Sequence, residues 1–280
     1  MKLPQLALLL LSASAMAGDF AGSAGLQLYS FRDQFKTDVP GTLDKVKALG
    51  FKEVETATTY GLPTEQFLGM LKERGLTPVS GHFQYDALTK DVASCIKEAK
   101  ALGLKYAVCP WIPHDVGNFS EADVQRAAAD FNRVGEAFKK EGITFAYHAH
   151  GYEFKPVSEG ATETLFDHFA AATKPEFVAF EMDVFWVTHP GQDPAKLLEK
   201  YPGRWQLMHL KDLRKGVRTG VYTGKAPLTD DVPLGTGQVD WPKVLRTAAK
   251  TGVKHYFIED ESPTVLEAIP VSLKYLETLK

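Results

Sequence analysis

The sequence predicts an α/β protein of the (β/α)8 TIM-barrel class, one domain behind an N-terminal signal peptide. Three observations lead there. Apolar runs rich in β-branched and aromatic residues alternate with amphipathic helical stretches eight times. Gly50, Gly75, Gly103, Gly142 and Gly252 each follow a helical stretch just before the next apolar run, where a left-handed residue commonly ends a helix. Eight such units in roughly 250 residues match the size of a (β/α)8 barrel. The competing open, doubly wound sheet usually carries a Gly-x-Gly-x-x-Gly turn after its first strand, and none follows Leu26–Phe31 here.

The expected strands are Leu26–Phe31, Phe51–Ala57, Thr77–Phe83, Tyr106–Trp111, Thr144–His150, Phe177–Val187, Trp205–Leu210 and His255–Glu259. Between the first two, Val39, Leu43, Val46 and Leu49 recur at near-helical spacing and predict a helix over Val39–Leu49. Leu88–Leu102, Glu121–Glu141 and Pro242–Thr251 read likewise. Asp193-Pro194 and Ser262-Pro263 have the form of a cap followed by a first helical residue. The longest irregular stretch, Leu213–Val239, leaves the seventh strand and is expected on the active face. No Pro/Gly/Ser-rich linker divides the chain, so residues 18–280 are expected to form a single barrel.

At the N-terminus, Lys2 precedes an apolar run from Leu6 to Leu11 and a small-residue site at Ala15-Met16-Ala17. This pattern predicts a signal peptide over residues 1–17 and an exported protein, periplasmic in a Gram-negative host. The run is too short for a permanent membrane span. Export permits a disulfide, but Cys95 and Cys109 read as two buried free thiols, one in a helix and one in a strand. A net charge of −3 gives no polyanion-binding signature, so nucleic acid is not an expected partner.

In a (β/α)8 barrel the chemistry gathers where the strands end. Here almost every strand ends in polar groups: Tyr29, Ser30 and Arg32, then Glu55, His82, Trp111, His148 and His150 with Glu153, Asp183, His209 and Lys211, Glu259 and Glu261. Residues two apart on a strand share a face, so His148 and His150 point one way, as do His209 and Lys211. Carboxylates and imidazoles converging from several strands suit a divalent metal, and a mixed oxygen and nitrogen set suits Mn, Co, Fe or Zn. Glu153, Asp183, His209 and Glu259 are the expected ligands, with His148 or His150 competing for the place of Glu153. The aromatic residues Tyr29, Phe31, Trp111, Phe185 and Trp186 offer faces for the C–H side of a sugar ring.

The stretches GLQLYSFRD, GFKEVE, YHAHGYEF, DVFWV, YPGR…MHLKD and HYFIEDE together resemble the xylose isomerase-like sugar phosphate isomerase/epimerase superfamily, in its exported bacterial branch. The resemblance spans nearly the whole mature chain. It implies a TIM barrel with one divalent metal, Mn foremost and Co, Fe, Zn or Mg as alternatives. The ligands would be a Glu, an Asp, a His and a Glu on strands five to eight, here Glu153, Asp183, His209 and Glu259. Many relatives place the first Glu within the strand, where this chain has His148. The implied chemistry is proton abstraction next to a carbonyl, with Glu259, Glu153, His150 and Lys211 as catalytic groups. Tyr29, Glu55, His82, Trp111, His148 and Trp186 would line the substrate. The expected function is a metal-dependent sugar isomerase or epimerase. A lyase or hydratase on 3-keto-glycosides shares the same intermediate, and a non-catalytic periplasmic carbohydrate-binding barrel is the alternative from another class. LGTGQVDW, Leu234–Trp241, is the only candidate phosphate loop, and export argues against a phosphorylated substrate, so a free sugar or keto-sugar is the expected partner.

Overall fold

Eight parallel strands close on themselves in the computed structural model, which describes residues 24–279; the expected signal peptide lies outside the described residues. The strands are β1 (Ala24–Gln27), β2 (Glu53–Thr56), β3 (Thr77–His82), β4 (Tyr106–Cys109), β5 (Thr144–His148), β6 (Val178–Asp183) and β7 (Trp205–Leu210). Next come a short antiparallel ribbon, β8 (Asp212–Leu213) with β9 (Asp231–Val232), and the last barrel strand, β10 (His255–Ile258). Their order around the barrel is β1-β10-β7-β6-β5-β4-β3-β2, a single TIM-barrel domain as the alternation predicts.

Strand alternation divides the core in two. Cys109, Phe145, Tyr147, Phe180, Met208 and Ile258 point outward and join the helices in one large apolar layer. Val108, Ala146, Ala179, Leu207 and Phe257 point inward and, with Val79 and Tyr106, form a separate small cluster that floors the barrel. Gly25 is required there: a Cβ would stand 2.7 Å from the Phe257 ring and 2.8 Å from the Glu53 carbonyl oxygen.

The five helix-ending glycines all take positive φ, from 69° at Gly75 to 104° at Gly252. The longest helix, Glu121–Lys140, opens with a reciprocal Ser120/Asp123 capping box, an arrangement worth about 1 kcal/mol. Pro194 starts its helix behind the Asp193 cap as expected. Other boundaries differ because side chains stop the elements. The Gln27 side-chain oxygen accepts the Tyr29 N–H at 3.0 Å, so the first strand ends there and Leu28–Phe31 becomes a 3-10 turn. Asp183 accepts the Trp186 N–H at 3.0 Å, so β6 ends and a helix runs over Val184–Thr188. Asp91 divides the expected Leu88–Leu102 helix into Tyr85–Lys90 and Val92–Leu102. Pro263 does not begin a helix; the last one, Val265–Leu276, follows Thr264. Thr64–Glu73 is a further helix that was not among the periodic stretches. Cys95 and Cys109 are both buried and free. No described helix is long and apolar enough to cross a membrane.

Candidate functional site

Strand register assembles the site on top of the apolar floor. Gln27 lies beside Glu55, His148 beside Glu181, and Asp183 beside His209. The two-residue alternation then adds His82 from β3 and Glu259 and Glu261 beyond β10. Glu55, Glu181, Asp183 and His209 are 0% exposed, a burial that charged groups tolerate only when paired.

The lower part of this constellation is a network of carboxylates and imidazoles. Glu55 Oε1 is 2.7 Å from His209 Nε2 and 2.9 Å from His82 Nε2, and it accepts the Gln27 amide at 2.7 Å. Glu181 Oε2 is 3.0 Å from His148 Nδ1, 3.3 Å from His82 Nε2 and 3.4 Å from His209 Nε2. The upper part is more open. Asp183 Oδ2 lies 3.9 Å from His148 Nε2 and 3.9 Å from His209 Nδ1, and this buried oxygen has no hydrogen-bond partner among the described residues. Glu259 Oε2 is 3.3 Å from His209 Nδ1 and accepts from Lys211 Nζ at 3.2 Å. Lys211 also donates to Glu261 at 2.5 Å, over the rings of Phe185 and Trp186.

Two sets of ligand atoms lie close enough to hold one divalent cation: His82, His148, Glu181 and His209 below, and Asp183, His209 and Glu259 above, each within 4.8 Å of one another. The local field follows from the pairing. Burial pushes the His82 and His209 imidazoles down, but facing carboxylates prevail, holding His82 at about 9 and His209 well above its ordinary range. Burial raises Asp183 to about 6 against the pull of Lys211. Burial works against the charged forms of Glu181 and Glu259, yet His209 and Lys211 respectively keep them ionised well below the usual carboxylate range. Lys211 is held charged by Glu259 and Glu261 despite its burial.

His150 is the exception in this charged mouth. Its ring stacks on Trp186 at 4.7 Å and meets the face of Trp111 edge-on at 5.0 Å. Its Nδ1 is buried without a partner among the described residues. Burial, together with the neighbouring His148, lowers its pKa well below the ordinary value, so it is neutral.

The structure does not bring Glu153 to the other expected ligands. Gly151, at φ 96°, turns the chain away from the end of β5 and carries Glu153 behind the strand. There its carboxylate accepts from the Tyr147 hydroxyl at 2.9 Å and the His150 N–H at 2.8 Å. Tyr147 packs on Phe131 and Phe169, on the helix side of the sheet, so Glu153 faces away from the barrel mouth. Neither cation-holding set contains it. Tyr29 stands at the rim, 41% exposed, under the Arg32 guanidinium. Arg32 meets Glu261, and Lys211 meets Glu259, Glu261 and Asp231. His114 and His189 both lie in loops; His114 packs 4.1 Å from Tyr152, and His189 is buried against Phe185. The candidate phosphate loop instead folds around a carboxylate of its own chain, because Asp212 accepts the N–H groups of Gly235, Gly237 and Val239 and the Trp241 indole.

Sequence reasoning missed Gln27 and Glu181 as site residues. Glu181 left a signal, since it precedes Asp183 by two and must share its face. Gln27 left only a polar residue in an apolar run.

A family model described as "Xylose isomerase-like TIM barrel" matches residues 43–279. The inosose dehydratase of Clostridium botulinum (strain Alaska E43 / Type E3) is 22% identical over 274 residues, covering 85% of this chain and 87% of the relative. That of Bacillus cereus (strain AH820) is 23% identical over 260 residues, covering 83% and 85%. A crystal structure of a sugar phosphate isomerase/epimerase from Parabacteroides distasonis ATCC 8503 superposes with a TM-score of 0.74 at 26% identity, covering 96% of this chain and 97% of the other.

Proposed function

Because the chain belongs to the xylose isomerase-like TIM-barrel family, we propose that it is a metal-dependent lyase that removes water or an alcohol from a keto-sugar. The observation that carries this reading is Asp183 Oδ2, buried without a hydrogen-bond partner among the described residues, lying between two imidazole nitrogens and within the field of a charged Lys211. A buried carboxylate oxygen without a donor is costly unless a cation completes it. Asp183, His209 and Glu259 would hold that cation. A divalent metal held there would polarise a carbonyl and so acidify the adjacent C–H.

The chain's own groups supply the rest. His150, neutral and with a free Nδ1, takes the proton from the carbon next to the carbonyl. The electron pair left behind forms the new C=C bond as the C–O bond at the neighbouring carbon breaks. Lys211 gives its proton to the departing oxygen, so water or the free alcohol leaves. Trp111 and Trp186 wall the mouth and offer flat faces to the sugar's C–H side. Glu55 fixes the orientation of His209 through its far nitrogen.

The two inosose dehydratases support elimination over isomerisation. The Parabacteroides structure favours a second reading, isomerase or epimerase, which shares the proton abstraction and then returns the proton to carbon. One experiment separates them. Metal-loaded protein in D2O is offered inosose and a 3-keto-glucoside. Growth of the near-ultraviolet absorbance of a conjugated enone marks the lyase. Deuterium entering recovered keto-sugar without that absorbance marks the isomerase. Neither signal with either compound refutes the reading.

A further inference from the structure

The geometry points to His148 as the β5 ligand of the metal, with Glu181 fixing which of its nitrogens ligates, so that the site holds its cation with two imidazoles and two carboxylates. This rests on the reading that a cation sits among Asp183, His209 and Glu259.

His148 and His209 are arranged alike. His209 sets Nε2 against a buried carboxylate, Glu55, at 2.7 Å, and turns Nδ1 toward Asp183 Oδ2 at 3.9 Å. His148 sets Nδ1 against a buried carboxylate, Glu181, at 3.0 Å, and turns Nε2 toward the same Asp183 oxygen at 3.9 Å. Metal-binding histidines characteristically give their far ring nitrogen to a carboxylate, which selects the tautomer and orients the ring. Two imidazoles built this way converge on one unpartnered oxygen. His148 is 2% exposed and lies in register beside Glu181, so neither ring nor carboxylate has room to turn elsewhere.

The lower set accounts for less. Its central atom, Glu181 Oε2, already lies within 3.0–3.4 Å of nitrogens of three imidazoles, and a cation there would have to displace them. Glu153 is tied to Tyr147 and the His150 N–H behind the strand. An imidazole on β5 in place of a carboxylate has a chemical consequence. It makes the site one unit less negative and adds a nitrogen donor, which turns its preference from Mg and Mn toward Fe, Co and Zn.

The test reads metal binding rather than turnover. Chelator-stripped protein is titrated with Co²⁺, followed by visible absorption and calorimetry, and then with Mn²⁺ and Zn²⁺ in competition. The variants are Asp183→Ala, His148→Gln, His148→Glu, Glu181→Gln and Glu153→Gln, each checked for folding by circular dichroism without metal. Wild type should bind one Co²⁺ per chain. His148→Gln should weaken binding about 100-fold, and Glu181→Gln roughly 10- to 100-fold, the usual effect of losing a carboxylate behind a ligating histidine. Glu153→Gln should bind as wild type does. Zn²⁺ outbinds Mn²⁺ at most sites, so the diagnostic quantity is the ratio of the two affinities. In His148→Glu that ratio should narrow at least tenfold while one cation is still bound. Wild-type affinity in His148→Gln, or loss of metal in Glu153→Gln, overturns the assignment even if Asp183→Ala abolishes binding. Full binding in Asp183→Ala would instead bring down the metal site of the proposed function.

Discussion

β5 carries two buried polar systems on opposite faces, and they are put to different uses. On the inner face His148 stands above Ala146 and meets the carboxylates of Glu181 and Asp183. On the outer face Tyr147 stands above Phe145 and meets Glu153. Inside, charges are concentrated and each carboxylate faces an imidazole or an ammonium. Outside, one carboxylate is buried among neutral hydrogen-bond donors, and burial lifts its pKa to about 7. Burial and polarity alone therefore do not mark a site. Facing partners of opposite charge, from several strands, do.

The largest effect should come from the inner system. Asp183→Ala removes the oxygen on which both imidazoles converge. Metal content by elemental mass spectrometry should fall from about one per chain to background, and turnover by on the order of 10³-fold or more. The apo protein should remain folded by circular dichroism, since the lost carboxylate has one hydrogen bond, from Trp186. Stoichiometric metal in the variant would erase the distinction between the two faces.

His150→Gln comes next. The imidazole lies in the mouth but belongs to neither cation-holding set. Loss of a positioned general base costs roughly 10²- to 10⁴-fold in kcat. Metal affinity and KM should change little. A kcat within threefold of wild type would move the proton-abstracting role to another residue.

On the outer face the expected signature is in stability. The folded pKa of Glu153 is raised from 4.5 to about 7, chiefly by burial. A raised pKa means that the folded state favours the protonated acid. Its stabilising contribution is therefore complete below about pH 4.5 and is lost as pH rises through about 7. At 1.36 kcal/mol per pKa unit the loss is roughly 3 kcal/mol. Glu153→Gln cannot ionise and should lack this component. The wild-type minus variant difference in unfolding free energy, from urea titrations at pH 5 and pH 8, should become less favourable to wild type by that amount. A pH-independent difference would mean that Glu153 is already ionised in the folded state and would place it nearer the inner system in character.

The two faces also show what was legible in the sequence. The barrel was legible because apolar runs and helix-ending glycines repeat with one period, and local chemistry agrees with it at Gly50, Gly75, Gly103, Gly142 and Gly252. Asp183, His209 and Glu259 were legible because strand ends gather at one mouth and parity carries them inward. Strand ends themselves were hidden. Gln27 and Asp183 stop β1 and β6 with side-chain hydrogen bonds that no periodicity encodes. Glu153 misled because a turn at one glycine decides which side of β5 it reaches. Glu181 was masked by the apolar run around it, although its spacing from Asp183 sets its face.

The smallest effect should come from Tyr147. Tyr147→Phe keeps the ring that packs on Phe131 and Phe169 and deletes the hydroxyl that donates to Glu153 and also meets the Tyr152 hydroxyl at 2.9 Å. Losing one buried hydrogen bond to a carboxyl group costs about 1–3 kcal/mol. That cost should be smaller at pH 5 than at pH 8, because a protonated Glu153 needs the donor less than an ionised one. Metal affinity, kcat and KM should match wild type, since the deleted atom meets Glu153 and Tyr152 and, among the described residues, neither belongs to a cation-holding set. A change in Co²⁺ affinity or in its visible spectrum would show that the outer system holds the ligands in place through the β5 backbone, and the two faces would then count as one site.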